Sequence, residues 1–272
     1  MIYYANATRT KLTNRLGRAF SLVEVLVVIG LILVLLSLAI PGLAGVRRQA
    51  REISALSSIR TMGQGLHQYA TDSMDLVPAF LPKTSFFIRQ GGKWPEVLYR
   101  NIRLRGGWFD HSALYHLAFS PLLPWGVNRA PGAPNNLPSV TIDGVRSAYY
   151  TDFRLSDSFY AEPSYWEFGR QRGPEQWGAQ RLISVAFPSR KALLWQTRSF
   201  PGPGGGVELG FLGNVPGAIL WADQSASEEV LRKLREGGPV NHFHPGIGSP
   251  APADARGLPV RDTEHGILGV DR

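Results

Sequence analysis

Cysteine is absent from all 272 residues. That excludes disulfide frameworks, thiolate metal sites and cysteine nucleophiles, although an oxidising compartment stays possible for a fold that needs no such staple. Acidic residues are missing ahead of Glu24, while Arg9, Lys11, Arg15 and Arg18 all precede it. Charge is missing again from Val25 to Ile40, sixteen residues in which only Gly30 and Ser37 are not apolar. Catalytic signatures are lacking as well. There is no Gly-x-Ser-x-Gly turn and no zinc-protease helix, and spacing assembles no Ser/His/Asp set. Gly202-Pro203-Gly204-Gly205-Gly206 lacks the Lys and Ser/Thr that would make a phosphate loop, so it reads as a flexible connection. No internal repeat is evident. The chain is therefore read as a non-enzyme that needs no cofactor.

The formal charge of +8 is less informative than it looks. Four of the 29 basic residues fall in the first nineteen positions, leaving 25 against 21 acidic ones. About half the excess is thus a flank to the apolar run, and no nucleic-acid partner is expected. Residues 1–19 form a basic leader without an apolar segment of its own, unlike an ordinary secretory signal. From Phe20 to Val46, with Pro41, Gly42 and Gly45 tolerated, 27 residues comfortably exceed the ~30 Å of a bilayer core. The basic flank predicts a cytoplasmic N-terminus and an outer, periplasmic bulk, with a lipid bilayer as partner.

Beyond Arg47 and Arg48 the pattern stays helical. Ile53, Leu56, Ile59, Met62, Leu66 and Tyr69 recur at spacings of three and four, which predicts an amphipathic second half over 47–72. One helix from Phe20 to about Ala70 would run roughly 75 Å, with a local kink or melt at Pro41 and Gly42. Gly63 and Gly65 suggest loosening near its end. Residues 73–272 then form a globular domain rich in Gly, Pro and aromatics. Asp143-Gly144 marks a hairpin between residues 140–142 and 145 onward. Leu182–Phe187 and Ala192–Thr197 read as a second hairpin around Pro188–Lys191. Gly217–Ala222 reads as an apolar strand. Ser225 with Glu228 has the capping-box spacing, so a short helix is expected there, closed by Gly237-Gly238. Five prolines make 121–139 a loop, and the tail from Pro239 reads as coil.

Arg18-Ala19-Phe20-Ser21-Leu22-Val23-Glu24, followed by Val25-Leu26-Val27-Val28-Ile29-Gly30, resembles the leader junction and first helix of type IV pilins and type II secretion pseudopilins. The resemblance covers residues 15–71. It implies cleavage by prepilin peptidase between Ala19 and Phe20, where the family usually has Gly at the Ala19 position, and N-methylation of Phe20. It further implies residence in the inner membrane, contact with an assembly platform, and extraction into a fiber of like subunits. Glu24 is the assembly residue: a carboxylate in an apolar run needs a cationic partner, which the Phe20 amine of a neighbour would supply. The C-terminal half is similar to large pseudopilin-like proteins of planctomycetes and verrucomicrobia around Ala222-Asp223-Gln224-Ser225, with Gln224 where those carry Gly.

Other candidates have plainer explanations. His242, His244 and His265 could form a metal set, and Asp143, Asp152 and Asp157 could supply calcium oxygens, but loop and turn roles account for both groups. Tyr99–Trp108 interleaves arginines with apolar residues as a half-exposed strand would. The expected fold is α+β: a long N-terminal helix on an antiparallel sheet with irregular loops, and with partner recognition between residues 76 and 180. The expected role is a pilin-like subunit of a type II secretion pseudopilus or type IV pilus-like fiber. The alternative is a single-pass anchored periplasmic binding or scaffold protein that does not polymerise.

Overall fold

The computed structural model describes residues 21–78, 86–90, 97–99, 129–133, 139–142, 145–148, 152–172, 176–200, 206–209, 214–239 and 256–272. The fold is α+β, and the chain divides into two compact units, residues 1–47 and 48–272. Helix α1 spans Leu22–Asp72 and contributes to both. It passes through residues 41 and 42 as continuous helix.

In the first unit, Leu22–Ile40 is the one described stretch long and apolar enough to cross a membrane, and none of it is buried. Nineteen residues at the helical rise make about 28 Å, close to the thickness of a bilayer core.

The second unit is built on the remainder of α1. Ala55, Ile59, Met62, Leu66 and Ala70 are buried, with steps of four, three, four and four. This stripe is rotated from the expected one: Ile53 is 68% exposed, while Leu56 and Tyr69 are only partly covered. Gly63 and Gly65 are both buried within continuous helix, which corrects the expectation of a loosened end. A β-carbon on Gly63 would overlap Leu220 Cδ2. A bare backbone is what lets the helix come this near.

The stripe packs on a four-stranded antiparallel sheet. Its strands β5 (Phe153–Leu155), β6 (Ala192–Gln196), β9 (Gly217–Trp221) and β10 (Ala226–Glu229) run in the order β10-β9-β6-β5. The central strands β6 and β9 are buried along their whole length, which explains their unbroken apolar sequences. Ala218 and Leu220 face the helix side, and Ile219 and Trp221 face a second cluster with Leu231 and Val260. Between Ala192 and Leu194 the register slips by one residue, a β-bulge. It lets Leu193 and Leu194 both join the helix-side core. Short strands β7 (Arg198–Ser199) and β8 (Val207–Glu208) pair separately.

A second antiparallel sheet has the order β2-β1-β3-β4, from β1 (Phe86–Gln90), β2 (Val97–Tyr99), β3 (Ser139–Ile142) and β4 (Val145–Ala148). The expected hairpin is present, with Ile142 opposite Val145, although Asp143 and Gly144 themselves lie outside the described residues.

Two expected elements are corrected. Leu182–Phe187 is not a strand: Leu182–Ser184 and Pro188–Arg190 are 3-10 turns. Pro188 cannot donate to a ladder, and Ile183 (82% exposed) has no core to face. Ser225–Gly238 is not a helix: residues 226–229 form β10, followed by a 3-10 turn at Leu231–Lys233. Ala226 through Glu229 pair with Leu220 through Gly217, so the open edge of β9 overrode the local capping pattern. The tail, expected as coil, carries in its described part a 3-10 turn at Gly266–Leu268 and a bridge between Pro239 and Arg256, and Val260, Asp262, Thr263, Ile267 and Asp271 are buried in it.

Candidate functional site

Ala19 and Phe20 lie outside the described residues. Glu24 stands in the first turn of α1, where the partial positive charge of the helix N-terminus favours a carboxylate. It does not stand alone. The Ser21 N–H donates to Glu24 Oε2 at 2.9 Å, and the Glu24 N–H donates to Ser21 Oγ at 3.2 Å. This is a complete capping box, and it satisfies two N–H groups that the helix start would otherwise leave open. The sequence carries it as Ser21 with Glu24 three residues later, the same spacing from which a helix is expected at Ser225 and Glu228. Both Ser21 and Glu24 are exposed. The cap leaves the negative charge in place, because its donor is a neutral amide.

A cavity of about 450 Å3 opens in the second unit beside the start of its helical stripe. Leu56 and Phe200 line its apolar part, and Arg48, Arg51, Glu52 and Glu228 supply charge of both signs. Arg51 Nη1 donates to the Phe200 carbonyl at 3.1 Å and fixes one wall. Arg48 lies 3.5 Å from Glu52. Partial burial, with the nearby Glu52 carboxylate, pushes the Glu228 carboxyl above its usual range, against the pull of Arg48.

Among the described residues, the largest concentration of buried charge is elsewhere. Lys191, at the head of β6, is fully buried. Its Nζ donates to Asp271 Oδ2 at 2.9 Å, to the Thr263 hydroxyl, and at 3.4 Å to Ser156 Oγ. The Phe159 ring lies 5.7 Å from the same nitrogen. Asp271 Oδ2 also accepts the Ala192 N–H at 2.8 Å, and Oδ1 accepts the Thr263 hydroxyl at 2.6 Å. Next along the tail, Arg261 grips Asp262 Oδ2 through Nε (2.8 Å) and Nη2 (2.5 Å), with Asp157 at 3.9 Å. Burial pulls the Lys191 ammonium below the ordinary lysine range, against the opposing pull of Asp271. Burial likewise pushes the Asp262 carboxyl up, against Arg261. Neither the pairing of Lys191 with Asp271 nor the burial of the tail had a signal in local sequence.

Among the described residues no acidic group is gathered for a metal, and Asp152 and Asp157, considered for calcium, have separate partners. Asp152 accepts the Ala130 N–H at 2.9 Å and lies 3.2 Å from Arg129, while Asp157 belongs to the Arg261 cluster. His265 is exposed, with Nδ1 3.5 Å from Glu167. His242, His244, Asp143 and residues 100–108 lie outside the described residues.

Fold and geometry thus define an α+β protein whose N-terminal helix carries one span apolar enough for a membrane. Compared with protein-family models, with curated proteins and with solved structures, the chain matches none.

Proposed function

We propose that this chain is a pilin-like structural subunit, a pseudopilin, assembled through its N-terminal helix into a type II secretion pseudopilus or type IV pilus-like fiber. Prepilin peptidase cuts between Ala19 and Phe20, the new amine is methylated, and the subunit waits in the inner membrane for the assembly platform. The observation that supports this most is the wholly exposed apolar helix Leu22–Ile40 with Glu24 as its one carboxylate. The capping box orders the helix start but does not neutralise Glu24, so in lipid the carboxylate still calls for a cation. The methylated Phe20 amine of a neighbour is that cation, and pairing it sets the axial register of stacked helices.

Two variants separate capping from assembly. Ser21→Ala removes the hydroxyl cap and keeps the charge, so fibers should still form. Glu24→Ala removes both, so it should be cleaved normally yet fail to cross-link to its neighbours. Mass spectrometry of the membrane-derived protein should find a chain beginning at methylated Phe20. A chain beginning at Met1, or assembly that survives Glu24→Ala, would overturn the reading.

The cavity beside Arg48 and Glu228 favours a second reading, an anchored binding or scaffold protein that does not polymerise. That protein would remain monomeric in the membrane under conditions in which the peptidase and platform are present.

A further inference from the structure

We propose that Lys191 and Asp271 are the two halves of an intramolecular cross-linking site, which closes by itself into an amide bond between Lys191 Nζ and Asp271 Cγ with loss of one water. The inference is independent of fiber assembly. It rests on the arrangement of three groups around one carboxyl.

Nζ already donates at 2.9 Å to Asp271 Oδ2, an oxygen bonded to the carbon it would attack, and both side chains are removed from solvent. The Thr263 hydroxyl accepts from Nζ and donates to Oδ1, so it forms a proton path from the ammonium to one particular carboxylate oxygen. The Ala192 N–H points at the other oxygen, Oδ2, at 2.8 Å. Oδ2 is thus held by two N–H donors, Nζ and the Ala192 amide, and is the oxygen that remains as a carbonyl, while Oδ1 takes the hydroxyl alone and is the one that leaves.

The steps balance without any further reactant. One ammonium proton passes through Thr263 to Oδ1, giving a neutral amine beside a carboxylic acid. The amine lone pair attacks Cγ, the N–C bond forms, and charge develops on Oδ2 where the Ala192 N–H receives it. A second proton from nitrogen goes to Oδ1, the C–O bond breaks, and water leaves. Burial favours the closure in three ways. It draws the lysine toward its neutral form. It excludes the water that would reverse the reaction. It fixes two reactants whose effective concentration, once held, reaches about 10⁵–10⁸ M. The product also replaces an ion pair that is expensive to desolvate with a neutral group.

The test is read on the full chain, purified from membranes, denatured and digested. The expected result is a branched peptide joining the segments that contain Lys191 and Asp271, lighter than their sum by one water. Lys191→Arg and Asp271→Ala should yield linear peptides only. Thr263→Val keeps the shape and breaks the proton path, so newly made protein should gain the branch roughly a hundredfold more slowly than the parent. The inference is overturned if aged parent protein gives linear peptides only, with the Lys191 amine open to acylation after denaturation. It is equally overturned if Thr263→Val closes at the parental rate. The fate of the leader does not affect either readout.

Discussion

Gly63 on α1 and Leu220 on β9 touch so closely that a single added methyl group has nowhere to go. Gly→Ala in a helix interior ordinarily stabilises, by about 0.5–1 kcal/mol. Here the new carbon would meet a fully buried leucine in the centre of the core. Gly63→Ala should therefore destabilise the domain by about 1–3 kcal/mol, the usual range for overpacking. Chemical denaturation checks it, and Leu220→Ala in the same chain should restore tolerance of the methyl group at residue 63.

Gln224 makes the opposite case. It closes the β9–β10 turn with φ at +69°, a conformation that side chains other than glycine resist. Its Nε2 is buried without a hydrogen-bond partner. The Asp223 carboxylate already holds this turn by accepting the Ser225 N–H at 3.0 Å. Gln224→Gly should accordingly stabilise the protein by about 0.5–1 kcal/mol. A higher unfolding midpoint at unchanged denaturant dependence is the expected result.

Asp271→Ala should be the most damaging of the single changes considered. It strands a buried ammonium and leaves the Ala192 N–H without its acceptor. Removing one partner of a buried pair costs about 3–5 kcal/mol. The loss is expected whether the two side chains form an ion pair or an amide, and equilibrium unfolding in denaturant measures it.

His67 gives the domain a pH dependence on the acid side. Burial holds its imidazole below the ordinary value of 6.5, with Asp75 pulling weakly the other way. The unfolded chain therefore takes up a proton at this residue more readily than the folded one does. Stability should fall as pH drops below 6.5 and the unfolded chain becomes protonated. His67→Gln should flatten that part of the profile in thermal melts at a series of pH values.

Much of this architecture was legible from residue patterns, for physical reasons that differ from element to element. The helix announced itself because its two halves need different surroundings, lipid-like for Leu22–Ile40 and half-buried for 55–70. Strand β9 and the 140–148 hairpin were legible because burial on both faces and an Asp-Gly turn leave strong local marks. Residues 226–229 were not, because Ala-Ser-Glu-Glu has no preference for a strand and pairs only because β9 offers it an edge. Ser21 with Glu24 and Ser225 with Glu228 share one spacing, and only the first pair caps a helix. Val25 onward is an apolar run able to stay helical, whereas Ala226 onward has a strand partner waiting for it. The cluster around Lys191 was least legible of all. Lys191, Thr263 and Asp271 come together only through the packing of the tail against the start of β6, and nothing in a basic residue between Arg190 and Ala192 announces burial.

The closeness of Gly63 to Leu220 also sets a schedule for synthesis. Leu220 comes 150 residues after Ala70, so the apolar stripe of the helix is made long before the strand that covers it. At roughly 5–20 residues per second the gap lasts on the order of ten to thirty seconds. Throughout that interval Ile59, Met62 and Leu66 face water or whatever else will hold them. For this protein the waiting time of its own helix is the interval in which a new chain exposes an apolar stripe that can aggregate.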